Sequence, residues 1–263
     1  MRIVLISCAV LSALLASVSF PALASLALYD DFSTPLINPA KWFSFAAHGT
    51  DTLLRVTDGA LRMVYRAYGG LTSNDGNQSS AVGLHFLHPD GIMKMQATIR
   101  VTEYESIGCP GNGLPTFVRG RLVGFFFSSA PTDPGDISAT VVATIGVGRF
   151  SNSTDPSGTL RVISEITHGP EFLYSIDLGP AHRGIPTTVS VQWDPDNDRF
   201  ILARDGMVVY APYALSDAFP PGIQFKFLDV AMEVANCLTF PRPAASMDAR
   251  FDDILIDAST SVP

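Results

Sequence analysis

The stretch VSVQWDPDNDRFILARDGMVVY, Val189 to Tyr210, decides the architecture. Val189, Val191 and Trp193 alternate with Ser190 and Gln192, which puts the apolar side chains on one face of an extended chain. Asp194 to Asp198 supply a turn rich in Asp, Asn and Pro, and Phe200, Leu202 and Arg204 then resume the alternation. Asp205-Gly206 reverses the chain once more, into Met207 to Tyr210. An Asp-Gly pair between alternating strands is a strong hairpin signal, because both central residues of the tight turn need positive φ. Two hairpins in succession make a meander.

Outward from this stretch the same grammar recurs. Asp58-Gly59 precedes Ala60-Leu61, and period-two alternation runs through the chain with Gly, Pro, Asn and Asp as punctuation. Strands are predicted over Leu53 to Val56, Ala60 to Arg66, Val82 to Phe86, Ile92 to Thr102, Arg121 to Ser128 and Thr140 to Val147. Further strands follow over Thr159 to Thr167, Phe172 to Asp177, Phe225 to Val234 and Ala249 to Asp257. Pro212 to Phe219 is the one segment expected to be helical, and Pro131 to Asp136 and Ser151 to Gly158 read as loops. The class is all-β.

Composition narrows the function classes. A formal charge of −8 and a charged fraction of 16% describe an acidic, compact chain with no basic run, which excludes nucleic acid as a partner. Arg2, the apolar run Ile3 to Phe20 and the small-residue stretch Pro21 to Ala24 have the layout of a signal peptide, so residues 1–24 are expected to be removed. The remainder, 25–263, is expected to be one domain, secreted or periplasmic, with no membrane insertion after cleavage. Cys109 and Cys237 would be its only cysteines, and an even pair in an exported chain predicts a disulfide.

Two acidic-aromatic clasps bracket that domain: Tyr29-Asp30-Asp31-Phe32 near its start and Arg250-Phe251-Asp252-Asp253-Ile254 near its end. They suggest a sandwich whose first and last strands meet, with the acids either charging a sheet edge or holding a cation. Asp31-Phe32 followed by Trp42, Asp58-Gly59-Ala60-Leu61, the Trp193 meander with its Asp205-Gly206, and Phe251-Asp252-Asp253 together resemble the concanavalin A-like lectin/glucanase superfamily. The resemblance implies a two-sheet antiparallel jelly-roll sandwich, with carbohydrate or a cell-surface glycan bound across one sheet. It also implies one structural calcium, whose matching positions are Asp31, Gly59 and Asp252.

The hydrolases of that superfamily carry Glu-x-Asp-x-x-Glu on one central strand, where a pair of carboxylates divides the acid and nucleophile roles. No Glu in this chain is followed two positions later by Asp. Glu103 and Glu105 are the nearest substitute, yet they share strand parity with the core side chains Met93 to Val101. The opposite face of that strand offers Gln96, Arg100 and Tyr104 for sugar contacts, and Arg161 and Glu165 form a second polar stripe. Asp229 and Glu233 form a third. If these strands adjoin, Arg100, Glu165, Asp229 and Glu233 would converge, which makes Glu165, Asp229 and Glu233 the candidates for any unconventional acid pair. Phe125, Phe126 and Phe127 read as core, Trp42 and Trp193 as packing residues, and Tyr68, Tyr104 and Tyr213 as aromatic ligand contacts. The sequence thus points to a carbohydrate-binding or envelope-recognition module, with a glycoside hydrolase or lyase and a purely structural envelope protein as the alternatives.

Overall fold

A computed structural model describes residues 25–47 and 51–257, so the expected signal peptide lies outside the described residues. The strands in chain order are β1 (Leu26–Asp30), β2 (Trp42–Ala47), β3 (Asp51–Thr57), β4 (Ala60–Tyr68) and β5 (Asn77–Phe86). Then come β6 (Lys94–Ser106), β7 (Phe117–Ser128), β8 (Thr140–Phe150), β9 (Thr159–His168) and β10 (Glu171–His182). β11 (Thr187–Asp194), β12 (Arg199–Arg204), β13 (Met207–Pro212), β14 (Lys226–Ala235) and β15 (Ala244–Asp257) complete the set. Sheet I runs β13-β12-β11-β6-β15-β4-β3, with β1 also on β15, and sheet II runs β10-β9-β8-β7-β14-β5-β2. Every pairing is antiparallel, giving the two-sheet sandwich that the resemblance implied. No helix among the described residues is long and apolar enough to cross a membrane.

The inner faces fill one core, in which Leu61, Met63, Tyr65 and Phe251 from sheet I meet Leu84, Leu122, Val230 and Met232 from sheet II. The meander forms as the alternation dictates: Trp193 pairs with Phe200 and Val191 with Leu202, all inward. Both Asp-Gly turns take the conformation that their residues favour, with φ of 53° and 70° at Asp58-Gly59 and 47° and 84° at Asp205-Gly206.

The clasps meet as expected. β1 pairs with the end of β15, Leu26 opposite Asp257 and Asp30 opposite Ile254, just beyond the stretch where β4 pairs with β15. Their chemistry is local. The Trp42 indole Nε1–H donates to Asp30 Oδ2 at 2.7 Å, the Phe32 amide donates to Asp30 Oδ1 at 2.9 Å, and the Tyr29 hydroxyl donates to the Lys41 carbonyl at 2.6 Å. Asp30, rather than Asp31, is therefore the buried acid that holds the entry strand against the aromatic cluster Tyr29, Phe32, Trp42 and Phe86.

Three expectations need correction. Pro212 to Phe219 is not helical: it runs irregularly, Asp217 accepts the Trp193 indole at 2.9 Å, and Phe219 bridges to Ser128, so tertiary bonds replace a local helix ladder. A β-bulge inserts Thr102 between β6 and β15, since Glu103 pairs with Asp248 but Val101 with Ala249. The extra residue inverts the parity beyond it. Tyr104 consequently packs toward the core, and Glu103 and Glu105 face solvent with Arg183 and Arg66 as ion partners. Tyr213 is also core, wedged among Phe127, Trp193 and Phe200.

Cys109 and Cys237 form the expected disulfide, with Cα atoms 5.6 Å apart across 128 positions. It ties the β6–β7 loop to the β14–β15 loop. Asparagines complete the knot: Asn236 accepts the Gly70 amide at 2.7 Å, and Asn112 donates to the Asn236 carbonyl at 3.0 Å.

Candidate functional site

The outward face of sheet II brings together side chains that lie far apart in sequence. On its central strand β7, Arg119 and Arg121 point outward, in alternation with the inward Val118 and Leu122. β14 lies beside it with Asp229 opposite Arg121 and Glu233 opposite Phe117. On the other side β8 presents Gly146 opposite Arg121 and Gly148 opposite Arg119, and beyond it β9 carries Arg161, Ile163 and Glu165. The two glycines decide the geometry. A Cβ at Gly146 would lie 2.5 Å from the Arg121 Cβ, and one at Gly148 would lie 2.8 Å from the Arg119 Cβ. Bare backbone there lets Arg119 reach across β8 to β9.

The result is an ion network that spans four strands. Arg121 Nε and Nη2 donate to the two oxygens of Asp229 at 2.8 and 3.0 Å, a bidentate pair in which the Asp229 side chain is only 1% exposed. Arg119 Nη1 donates to Glu165 Oε2, and its Nη2 stands 3.7 Å from Glu233 Oε1. Asn77 Nδ2 donates to the other Glu233 oxygen at 3.2 Å. Burial pulls the Arg119 guanidinium below the ordinary arginine value, its neighbour Arg121 adds to this, and Glu165 and Glu233 oppose it. Arg121 is pulled down by burial too, but its pairing with Asp229 outweighs that and leaves it raised. Both stay protonated, as arginines in proteins do. Beside the network lies a groove of about 330 Å³ lined by Ser79, Phe117, Arg119, Arg121, Ala231 and Glu233.

Along the same strands, toward one end of the sheet, the face becomes aromatic. His85 stacks between Phe43 and Phe227, at 4.7 and 4.9 Å, while Phe45 and Phe225 meet it edge-on at 4.4 and 4.5 Å. Phe43 is 43% exposed, and Phe225, Phe227 and Phe125 are half-buried. Burial pushes the His85 imidazole down to about 4, and its Nδ1 has no hydrogen-bond partner. Phe126 and Phe127 are core as expected. Phe125 is not: it continues the outward alternation of Arg119, Arg121 and Val123, and the bulge between Phe125 and Phe127 is what brings Phe127 inward beside Phe126.

Glu165, Asp229 and Glu233 thus converge as the polar stripes predicted, and Arg161 shares their face, clamped by Asp155 at 2.7 and 2.8 Å and by Asp177 at 3.2 Å. Arg100 does not join them. It lies with Gln96 on the outward face of sheet I, and Tyr104 is turned away by the bulge. The network's organising residues, Arg119 and Arg121, were missed in the sequence. Their signal was Phe117-x-Arg119-x-Arg121 alternation in a strand assumed to start only at Arg121. The hydrolase signature would set three acids at Glu-x-Asp-x-x-Glu spacing on a central strand; β7 carries Arg119-x-Arg121-x-x-Gly124.

Asp31 and Asp252, expected to hold calcium with Gly59, are electrostatic neighbours. The Asp252 carboxyl is held above its ordinary value by burial first and by Asp253 and Asp31 after it, whereas the Ser33 hydrogen bonds hold Asp31 below its own. Two carboxylates that repel each other suit a hard cation, which would take its other ligands from backbone oxygens such as that of Gly59. Among the described residues no group of three or more His, Cys, Asp or Glu side chains is gathered for a metal.

No family model matches the chain, and no curated protein does. Among solved structures it is similar to a GlcNAcα1-4Gal releasing endo-β-galactosidase from Clostridium perfringens, with 10% identity, a TM-score of 0.46 and 86% of this chain covered. The chain spans 61% of that enzyme's chain. It is also similar to a β-1,3-glucanase from Mycobacterium marinum, at 15% identity and TM-score 0.43 over 89% of this chain and 99% of that one. A third is an immunostimulatory antigen and pseudo β-1,3-glucanase of Mycobacterium tuberculosis, at 14% identity and TM-score 0.40 over 87% and 98% of the two chains. At these values the likenesses carry no argument about chemistry, which rests on the side chains themselves.

Proposed function

We propose that the chain is an exported carbohydrate-binding protein, cleaved after residue 24 and secreted or periplasmic, that holds a glycan on the outward face of sheet II without hydrolysing it. The observation that carries this reading is the continuity, across strands β2, β5, β14 and β7, of an aromatic surface around the exposed Phe43 and the half-buried Phe227 with the polar groove at Arg119 and Glu233. Sugar sites need that combination: a flat apolar surface for the ring face and fixed polar groups for the hydroxyls. Against hydrolysis stands the position of Arg119. A glycosidase holds its scissile bond between two carboxyl groups, whereas here a guanidinium stands between Glu165 and Glu233, and Asp229 is sealed beneath Arg121.

A glycan array on the protein without residues 1–24 tests the reading, alongside a reducing-end assay on a polysaccharide panel. Binding that Phe43→Ala/Phe227→Ala abolishes, with no release of reducing ends, is expected. Reducing-end release lost in Glu165→Gln or Glu233→Gln would establish the hydrolase instead.

A calcium ion at Asp31, Gly59 and Asp252 belongs to the same proposal as a structural support. Chelation is expected to lower the melting temperature of the parent protein and to leave Asp252→Asn unmoved; an unchanged parent melting temperature would remove the ion. With no ion bound, Asp252 withdraws stability as pH rises through its raised pKa, so Asp252→Asn would then be the more stable at neutral pH.

A further inference from the structure

On the outward face of sheet I, strand registers align four arginines in one cross-strand row. Arg55 on β3 pairs with Arg62 on β4, Arg62 with Arg250 on β15, and Arg250 with Arg100 on β6. Directly paired residues lie on the same face of a sheet, and strands stand about 4.8 Å apart. Like charges directly opposite each other are destabilising, so the fold alone gives no reason for this row. Acids offset part of it: Arg62 forms a bidentate pair with Asp248, at 3.0 and 2.6 Å, and Arg250 Nη1 meets Asp58 at 3.2 Å. Arg250 Nε is buried without a hydrogen-bond partner. Arg55 and Arg100, the two ends of the row, make no side-chain hydrogen bond or ion pair within 4.0 Å among the described residues, although Arg100 lies near enough to Asp252 to act on its carboxyl through space.

We infer that this row is a second binding site, specific for the oxyanions of an acidic polysaccharide. Guanidinium groups match carboxylate and sulfate geometry in pairs of parallel hydrogen bonds, and a row stepped by the strand spacing presents them at intervals close to the repeat of a sugar chain. The surroundings favour a glycan over other polyanions. Gln96, Thr98 and Thr188 continue the same face beside the row, offering neutral groups for hydroxyls. The protein's charge of −8 gives no long-range attraction to any polyanion, the acidic polysaccharide included, so recognition must be short-range and local.

Affinity electrophoresis of the protein without residues 1–24 tests the inference, in gels containing polygalacturonate for carboxylate, dextran sulfate for sulfate, or neutral dextran as the reference. Retardation by at least one anionic polymer is expected, weakened at least tenfold in Arg55→Gln/Arg100→Gln and by added salt, with the two arms naming the anion. The same retardation should survive in Phe43→Ala/Phe227→Ala, which separates this site from the face of sheet II. Equal retardation of the parent and the arginine variant would overturn it, as would no retardation by either polymer. Stronger retention of the parent by duplex DNA than by both polymers would also overturn it. An unchanged melting temperature of the arginine variant confirms that the variant is folded.

Discussion

The outward faces of the two sheets are built from the same residue types and handle charge in opposite ways. On sheet II each of Arg119, Arg121 and Arg161 is set against carboxylates, and the deepest of these, Asp229, is almost closed to water. On sheet I four arginines pair with one another across the strands; Asp248 and Asp58 form ion pairs with the inner two, and among the described residues no acid forms one with either end. The difference teaches how to read a charged strand. Where charges are matched and buried they hold the strands in place and present a polar surface; where like charges are stacked and only partly matched, as on sheet I, they leave donors for the oxyanion partner proposed above.

The comparison breaks first at Arg121. Arg121→Ala leaves the Asp229 carboxylate buried with no counter-ion, and unfolding by denaturant should show a loss of about 3–5 kcal/mol; a loss below 1 kcal/mol would mean that the network is ornamental. Gly146→Ala comes next. Its Cβ would press within 2.4 Å of the Gly120 carbonyl and against Arg121, so a loss of about 1–3 kcal/mol is expected, together with weakened glycan binding on this face.

His85 sharpens the contrast through pH. It is neutral in the folded protein down to about 4 because it is buried among phenylalanines. The unfolded chain takes up its proton near 6.5, so this group withdraws stability as pH falls from there toward 4. His85→Phe should therefore melt higher than the parent at pH 4.5, with the difference shrinking toward pH 7.5; a constant difference would assign the effect to packing alone. The smallest effect is expected on sheet I. Arg100→Gln removes the like-charge opposition to Arg250 and also the cation that favours the charged Asp252, so stability should change by less than about 1 kcal/mol in the absence of ligand.

The sandwich was legible because its information is local. The alternation around Trp193, the two Asp-Gly turns and the clasps each name a strand or a turn within a few residues, and the cysteine pair names its own link. The site was half legible. Glu165, Asp229 and Glu233 stood out as polar positions on otherwise apolar strands, and parity alone put each on an outer face. Which strands adjoin is a non-local fact, so nothing in the sequence separated Arg100, on sheet I, from Arg119 and Arg121. Bulges hid the rest. One inserted residue at Thr102 moved Tyr104 from the sugar face to the core side, and another after Phe125 turned Phe127 inward beside Phe126 while Phe125 stayed on the outer face with Arg119 and Arg121. A period-two reading has no means of registering a single extra residue.

The central claim is that the two faces are separate binding surfaces, neither of them hydrolytic. Parallel titration of Phe43→Ala/Phe227→Ala and Arg55→Gln/Arg100→Gln with one neutral glycan drawn from the array and with polygalacturonate or dextran sulfate tests it most directly, with reducing ends assayed in the same samples. The account predicts that the phenylalanine variant loses the neutral glycan alone, the arginine variant loses the acidic polymer alone, and no reducing ends appear. Loss of both ligands in either variant, or release of reducing ends by the parent protein, would contradict it.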